Sequence, residues 1–78
     1  MVKEQILSQV QEIFRTILDQ ENLVLKPETT AADVEDWDSL SHIQLVVGIE
    51  KHFKIRFTSK EIQSWKNVEE MISSIQSK

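Results

Sequence analysis

Apolar residues recur near the start of the chain at Ile6, Leu7, Val10, Ile13, Phe14, Ile17 and Leu18. Steps of three and four put them on one broad stripe, which predicts a helix over roughly residues 3–20. Only about two heptads are present, too few for a coiled coil, so the stripe reads as core-facing. The period then lapses over residues 21–38. Lys26-Pro27 forces the chain out of helix, since proline lacks an N–H and restricts the residue before it. Leu23, Leu25 and Val34 are expected to pin this long connection to the core, and Thr29 to Asp33 to form one short turn with a threonine cap. So long a connection in so small a fold points to function.

A third segment runs from Asp38-Ser39 to about Phe53, and its apolar residues wrap most of a helix. Leu45, Val46, Ile49 and Phe53 make a core face. Leu40, Ile43 and Val47 fall at i, i+3 and i+7 on another. A surface helix needs one apolar face, so the second is either a docking strip for a partner or a face covered by flanking helices. Gly48 in mid-helix costs about 1 kcal/mol relative to alanine, which suggests close approach of another backbone. Thr58-Ser59-Lys60-Glu61 has capping-box spacing and opens a short helix. Asn67-Val68-Glu69-Glu70 repeats the signal before a last stripe of Val68, Met71, Ile72 and Ile75. The pattern predicts a single all-α domain over residues 1–78, a small four-helix bundle. It has three main helices, one short helix and a long loop between helices 1 and 2.

Composition narrows the chemistry. The 78 residues contain one Gly and one Pro, too few for the turns of a sandwich or barrel. With no Cys, disulfides, thiolate nucleophiles and Cys-bound zinc are excluded. No apolar run reaches spanning length, and the mixed start MVKEQILSQVQEIF is not a signal peptide, so the expected compartment is the cytoplasm. The net charge of −4 disfavours nucleic acid as a partner. It is uneven: residues 1–38 carry three bases and nine acids, and residues 39–78 six bases and four acids.

Ser39 is the candidate for chemistry, placed after the acidic run Asp33, Glu35, Asp36 and Asp38. Either Ser39 or Asp38 is a helix N-cap. Functionally, the Ser39 hydroxyl reads as a covalent attachment point, where a phosphodiester would lie against free N–H groups at the positive end of a helix. A triad of Ser39, His42 and Asp38 or Asp36 would also need an oxyanion hole and a water-excluding pocket, for which so short a chain leaves little material. His42 reads instead as a surface residue near the docking face. His42 and His52 lie about 15 Å apart along a helix axis, so one metal ion cannot join them. Trp37 is expected to sit as a lid on the loop beside the serine, and Trp65 to close the base of the bundle. An unmodified helical interaction domain would also explain the helices, though not the serine at this position.

The stretch from Trp37 to Phe53, WDSLSHIQLVVGIEKHF, resembles the second helix of acyl carrier proteins, the small four-helix carriers of fatty acid, polyketide and related pathways. The similarity extends over essentially the whole chain. Asp-Ser-Leu alone is a weak signal; at the head of this helix, at mid-chain, it is a strong one. The resemblance implies that Ser39 receives a 4′-phosphopantetheine arm from coenzyme A, attached by a separate magnesium-dependent synthase (phosphopantetheinyl transferase). The arm's thiol then holds an acyl or aminoacyl group as a thioester, so a cysteine-free chain imports its sulfur. It further implies that Asp38 helps the synthase recognise the serine and that Leu40, Ile43, Val47 and Glu50 meet partner enzymes. Those partners are an acyl- or aminoacyl-activating ligase and acyl-transferring or condensing enzymes, served by a monomeric, non-catalytic carrier.

Two departures bear on the pathway. Trp37 stands where fatty-acid carriers have a small residue. Ser41, Gln44 and Lys51 occupy positions often acidic in those relatives, leaving Glu50 alone on the helix. The form resembles dedicated stand-alone carriers, including D-alanyl carriers of envelope or specialised-metabolite pathways, more than a housekeeping fatty-acid carrier.

Overall fold

The computed structural model describes residues 2–78. Four α-helices follow in order: α1 (Lys3–Leu18), α2 (Ser39–Phe53), α3 (Ser59–Ser64) and α4 (Val68–Gln76), with a short 3-10 turn at Ala31–Asp33 in the loop before α2. Helix α1 stops slightly earlier than its apolar period suggests. Asp19 turns left-handed (φ 55°) and sends its N–H back to the Arg15 carbonyl. Lys54 ends α2 in the same way (φ 58°), with its N–H on the Glu50 carbonyl. The capping signals of the sequence are realised. Thr58 Oγ1 accepts from Glu61 N at 3.1 Å while Glu61 Oε1 accepts from Thr58 N at 2.9 Å, and Asn67 Oδ1 accepts from Glu70 N at 3.0 Å.

Helix α1 packs against α2 and α4. Ile6, Val10 and Phe14 of α1 meet Leu45 and Ile49 of α2 and the full α4 stripe of Val68, Met71, Ile72 and Ile75. Leu25, Val34 and Trp37 carry the loop into the same cluster, with Leu23 and Phe53 packed at its margin. At Gly48 the close approach comes from side chains, not from a second backbone. A Cβ there would lie 2.9 Å from Ile17 Cδ1 and 3.2 Å from Ile13 Cγ2. The missing methyl lets the branched residues of α1 lie directly on α2.

Polar ties add to the apolar anchors of the long loop. Gln11 Oε1 accepts from Leu25 N at 2.9 Å, and Arg15 Nε donates to the Leu23 carbonyl at 2.7 Å. Gln20 Nε2 donates to the Glu35 carbonyl at 2.6 Å. The carbonyls of Thr29 and Pro27 accept from Val68 N and Glu69 N, at 2.9 and 2.8 Å. Those two amides belong to the first turn of α4, where no intrahelical acceptor exists.

Candidate functional site: the head of helix α2 and its groove

Asp38, not Ser39, caps α2. Its backbone is extended, and Oδ1 accepts from Leu40 N at 3.1 Å and Ser41 N at 3.0 Å. The Ser41 N–H, helped by that of Leu40, holds the Asp38 carboxyl below its usual value. Ser41 closes the box from the other side. Its Oγ accepts from Asp38 N at 2.8 Å and donates to the Asp36 carbonyl at 2.7 Å. Ser41 is therefore buried and committed to the loop. The carboxylate also occupies two of the N–H groups at the head of the helix, so the free donors expected beside an anion on Ser39 are mostly taken.

Ser39 is the first residue of α2. It is exposed, and its hydroxyl makes no hydrogen bond to any described residue. Two serines two positions apart thus have opposite environments, one locked into a cap and one free. Beyond Ser39, Leu40 and Ile43 are 72% and 62% exposed and Val47 is 41% exposed, so no flanking helix covers that strip. Glu50 is half-buried, and its Oε2 accepts from Phe57 N at 2.8 Å, which ties the end of α2 to the connection that follows.

An open groove of about 980 Å³ runs from Ser39 along α2 toward α3 and the α3–α4 connection. Three expectations about its lining are corrected. Trp37 is not a lid: it is buried, with its ring edge-on to Phe14 at 4.9 Å. His42 is half-buried rather than a surface residue. It stacks on Trp37 at 6.1 Å and accepts the indole N–H on Nδ1 at 3.1 Å. Trp65 lies in this groove beside His42, at 5.9 Å, instead of at the base of the bundle. The signal available in the sequence was the i, i+5 pairing of Trp37 and His42 across a helix start; nothing local marks Trp65 as their neighbour. Among the described residues no group of three or more His, Asp or Glu is placed to hold a metal ion, and no helix is long and apolar enough to cross a membrane.

This architecture, with a free serine heading an apolar groove on the second helix, matches known proteins along its length. The family model described as "Phosphopantetheine attachment site" matches residues 8–75, and the chain belongs to that family. Within it, the relatives are acyl carrier proteins. That of Acidothermus cellulolyticus is 32% identical over 73 residues, covering 94% of this chain and 87% of the relative. That of Myxococcus xanthus is 29% identical over 73 residues, 94% of this chain and 92% of the relative. A solution structure of the holo acyl carrier protein of Geobacter metallireducens superposes with a TM-score of 0.86 at 42% identity, covering 92% of this chain and 83% of that one. The phosphopantetheine-bearing role and the four-helix fold implied by the resemblance are thereby established.

Proposed function

We propose that Ser39 is the residue that bears the 4′-phosphopantetheine arm, and that residues 1–78 act as one cytoplasmic, monomeric carrier unit. The observation that carries this reading is the free, exposed Ser39 hydroxyl at the first position of α2, on a backbone fixed by the Asp38–Ser41 cap. The residues present fit the arm. From Ser39 to Glu50 the helix runs about 16 Å at 1.5 Å per residue, a length suited to an extended chain of that kind. The groove beside it offers apolar floor and polar rim together. When bound, the arm supplies a thiol on which an acyl or aminoacyl group is held as a thioester.

The chain's own residues then have distinct duties. The Asp38–Ser41 cap keeps the serine at a fixed orientation, and the Asp38 carboxylate, ionised and exposed, is the feature a transferase reads. Leu40, Ile43 and Val47 are the apolar surface for partner enzymes: the transferase, an acyl- or aminoacyl-activating ligase, and transferring or condensing enzymes. Glu50 contributes a carboxylate at the edge of that surface. Magnesium belongs to the attaching enzyme only, and the carrier is a substrate of other enzymes rather than a catalyst.

Mixed charge on α2 favours a dedicated pathway, with an acyl or aminoacyl cargo, over housekeeping fatty-acid synthesis. Glu50 already binds Phe57 N, and Lys51 and His52 follow it. Encounter with a basic partner patch is correspondingly weak. Incubation with coenzyme A, Mg²⁺ and a broad-specificity transferase should add one phosphopantetheinyl mass to the intact protein and none to a folded Ser39→Ala variant. Modification that survives in the variant overturns the assignment.

A further inference from the structure

Five rings run in contact from the core to the outer edge of the groove. Phe14 meets Trp37 edge-on, Trp37 stacks on His42, His42 meets Trp65 edge-on, and Trp65 meets Phe57 edge-on at 4.9 Å. They come from α1, the long loop, α2, the α3–α4 connection and the α2–α3 connection, so the series links α1 and α2 to the connections on either side of α3. Both indole donors in it are satisfied. Trp37 Nε1–H donates to His42 Nδ1, and Trp65 Nε1–H donates to Ser74 Oγ of α4 at 2.8 Å. Because Nδ1 accepts, the neutral imidazole carries its proton on Nε2. That second N–H has no partner among the described residues, and His42 lines the groove. None of the three central rings can swing aside without breaking a ring contact, and moving the buried Trp37 also breaks its indole N–H bond to His42.

An acyl chain tethered at Ser39 can leave water in two places: the groove in front of these rings or the bundle interior behind them. Behind them the space is occupied by Phe14, Leu45 and Ile49, each fully buried. In front lies the open groove with an unclaimed imidazole donor on its wall. We infer that the Trp37–His42–Trp65 wall sets the cargo class. It keeps a short acyl group in the groove and denies a long alkyl chain entry to the interior, with His42 as the specificity-determining residue. The inference rests on the carrier reading of Ser39 and names the cargo that this site takes.

The test loads Ser39 directly from butanoyl- and dodecanoyl-coenzyme A with a broad-specificity transferase, and reads methyl chemical shifts of Leu45, Ile49 and Val68 together with Tm. In the parent, both cargoes should leave the core methyls unchanged, and Tm should not rise with chain length. In His42→Ala, dodecanoyl should shift those methyls and raise Tm above the butanoyl form. His42→Asn, whose side-chain oxygen replaces Nδ1 as acceptor for Trp37, should behave as the parent. If His42→Ala does not fold, His42→Leu, which fills the space without accepting the indole N–H, takes its place. Core methyl shifts with dodecanoyl on the parent overturn the inference while leaving the carrier reading intact. Identical behaviour of the parent and the folded His42→Ala variant, or of His42→Leu in its place, removes His42 from the role and overturns the inference. Failure of any arm to attach at Ser39 overturns the carrier reading itself, and the inference with it.

Discussion

Helices α1 and α2 are nearly equal in length, 16 and 15 residues, and similarly rich in aliphatic side chains, yet they use them differently. In α1 the stripe of Ile6, Val10, Phe14 and Leu18 is buried, with Leu7, Ile13 and Ile17 packed at its edges. In α2, Leu45, Val46 and Ile49 do the same work, and Leu40, Ile43 and Val47 point away from the bundle. Helix α1 carries the apolar surface that folding requires. Helix α2 carries more, and the surplus lies along the helix that Ser39 heads. An aliphatic side chain on this second face gains nothing from the free protein's core, and that exposure is what supports the proposed partner surface.

The sharpest way to break this contrast is truncation. Phe14→Ala should cost about 3–5 kcal/mol and Ile49→Ala about 2–5 kcal/mol in denaturant unfolding, because both side chains are fully buried. Gly48→Ala probes the seam between the two helices. The added methyl meets Ile17 and Ile13, and overpacking of about 1–3 kcal/mol is offset by about 0.5–1 kcal/mol of relieved glycine entropy, for a net loss of about 1 kcal/mol. Ile43→Ser and Val47→Ser should change stability by only about 0.5 kcal/mol while acyl transfer from a cognate enzyme falls steeply. Collapse of Tm in both would place the strip in the core and erase the distinction between the helices.

The smallest expected effect concerns the cap. The Asp38 carboxyl is held below its ordinary 3.8, so its contribution is fully present above that value and is lost as pH falls through the lower folded one. Glu61, lowered by Lys78 and the Thr58 N–H, behaves alike on α3. Asp38→Asn keeps a capping oxygen without the titration. Its Tm should therefore lie slightly below the parent's near neutrality and converge with it in acid, as followed by helical circular dichroism. A gap that widens on acidification would show that the carboxylate is not favoured by its surroundings.

The helices, the caps of α3 and α4 and the second apolar strip of α2 were legible because each depends on residues three or four apart; whether flanking helices cover that strip was open, and the exposure of Leu40, Ile43 and Val47 decides it. Ser39 was legible too, because its place at a helix start follows from the break in periodicity before it. The choice between Ser39 and Asp38 as cap was open in the sequence, since both residue types cap well, and only the geometry shows Asp38 taking the amides of Leu40 and Ser41. Ser41 shares the helical phase of the buried Leu45 and Ile49, but its bond to a loop carbonyl, Asp36, was not legible because it depends on how the loop meets the helix. Trp37, His42 and Trp65 were each read singly and each misplaced. Their contacts join residues 5 and 23 positions apart and depend on how the loop and α3 close over α2. The neighbours of Gly48 were misjudged for the same reason: the pattern marks a close approach without saying which atoms make it.

The bonds from the Thr29 and Pro27 carbonyls to the first amides of α4 couple two distant parts of the chain. They join positions about 40 residues apart, so they form only after the chain between them, including all of α2, has been gathered in. Helix α4 is nine residues long and too short to persist alone, and its opening turn waits for acceptors that the loop must deliver. The loop and the last helix are therefore coupled, since neither end of these bonds is satisfied unless the other segment is in place. Opening that frees α4 strands the Thr29 and Pro27 carbonyls and so also loosens the loop leading into Ser39.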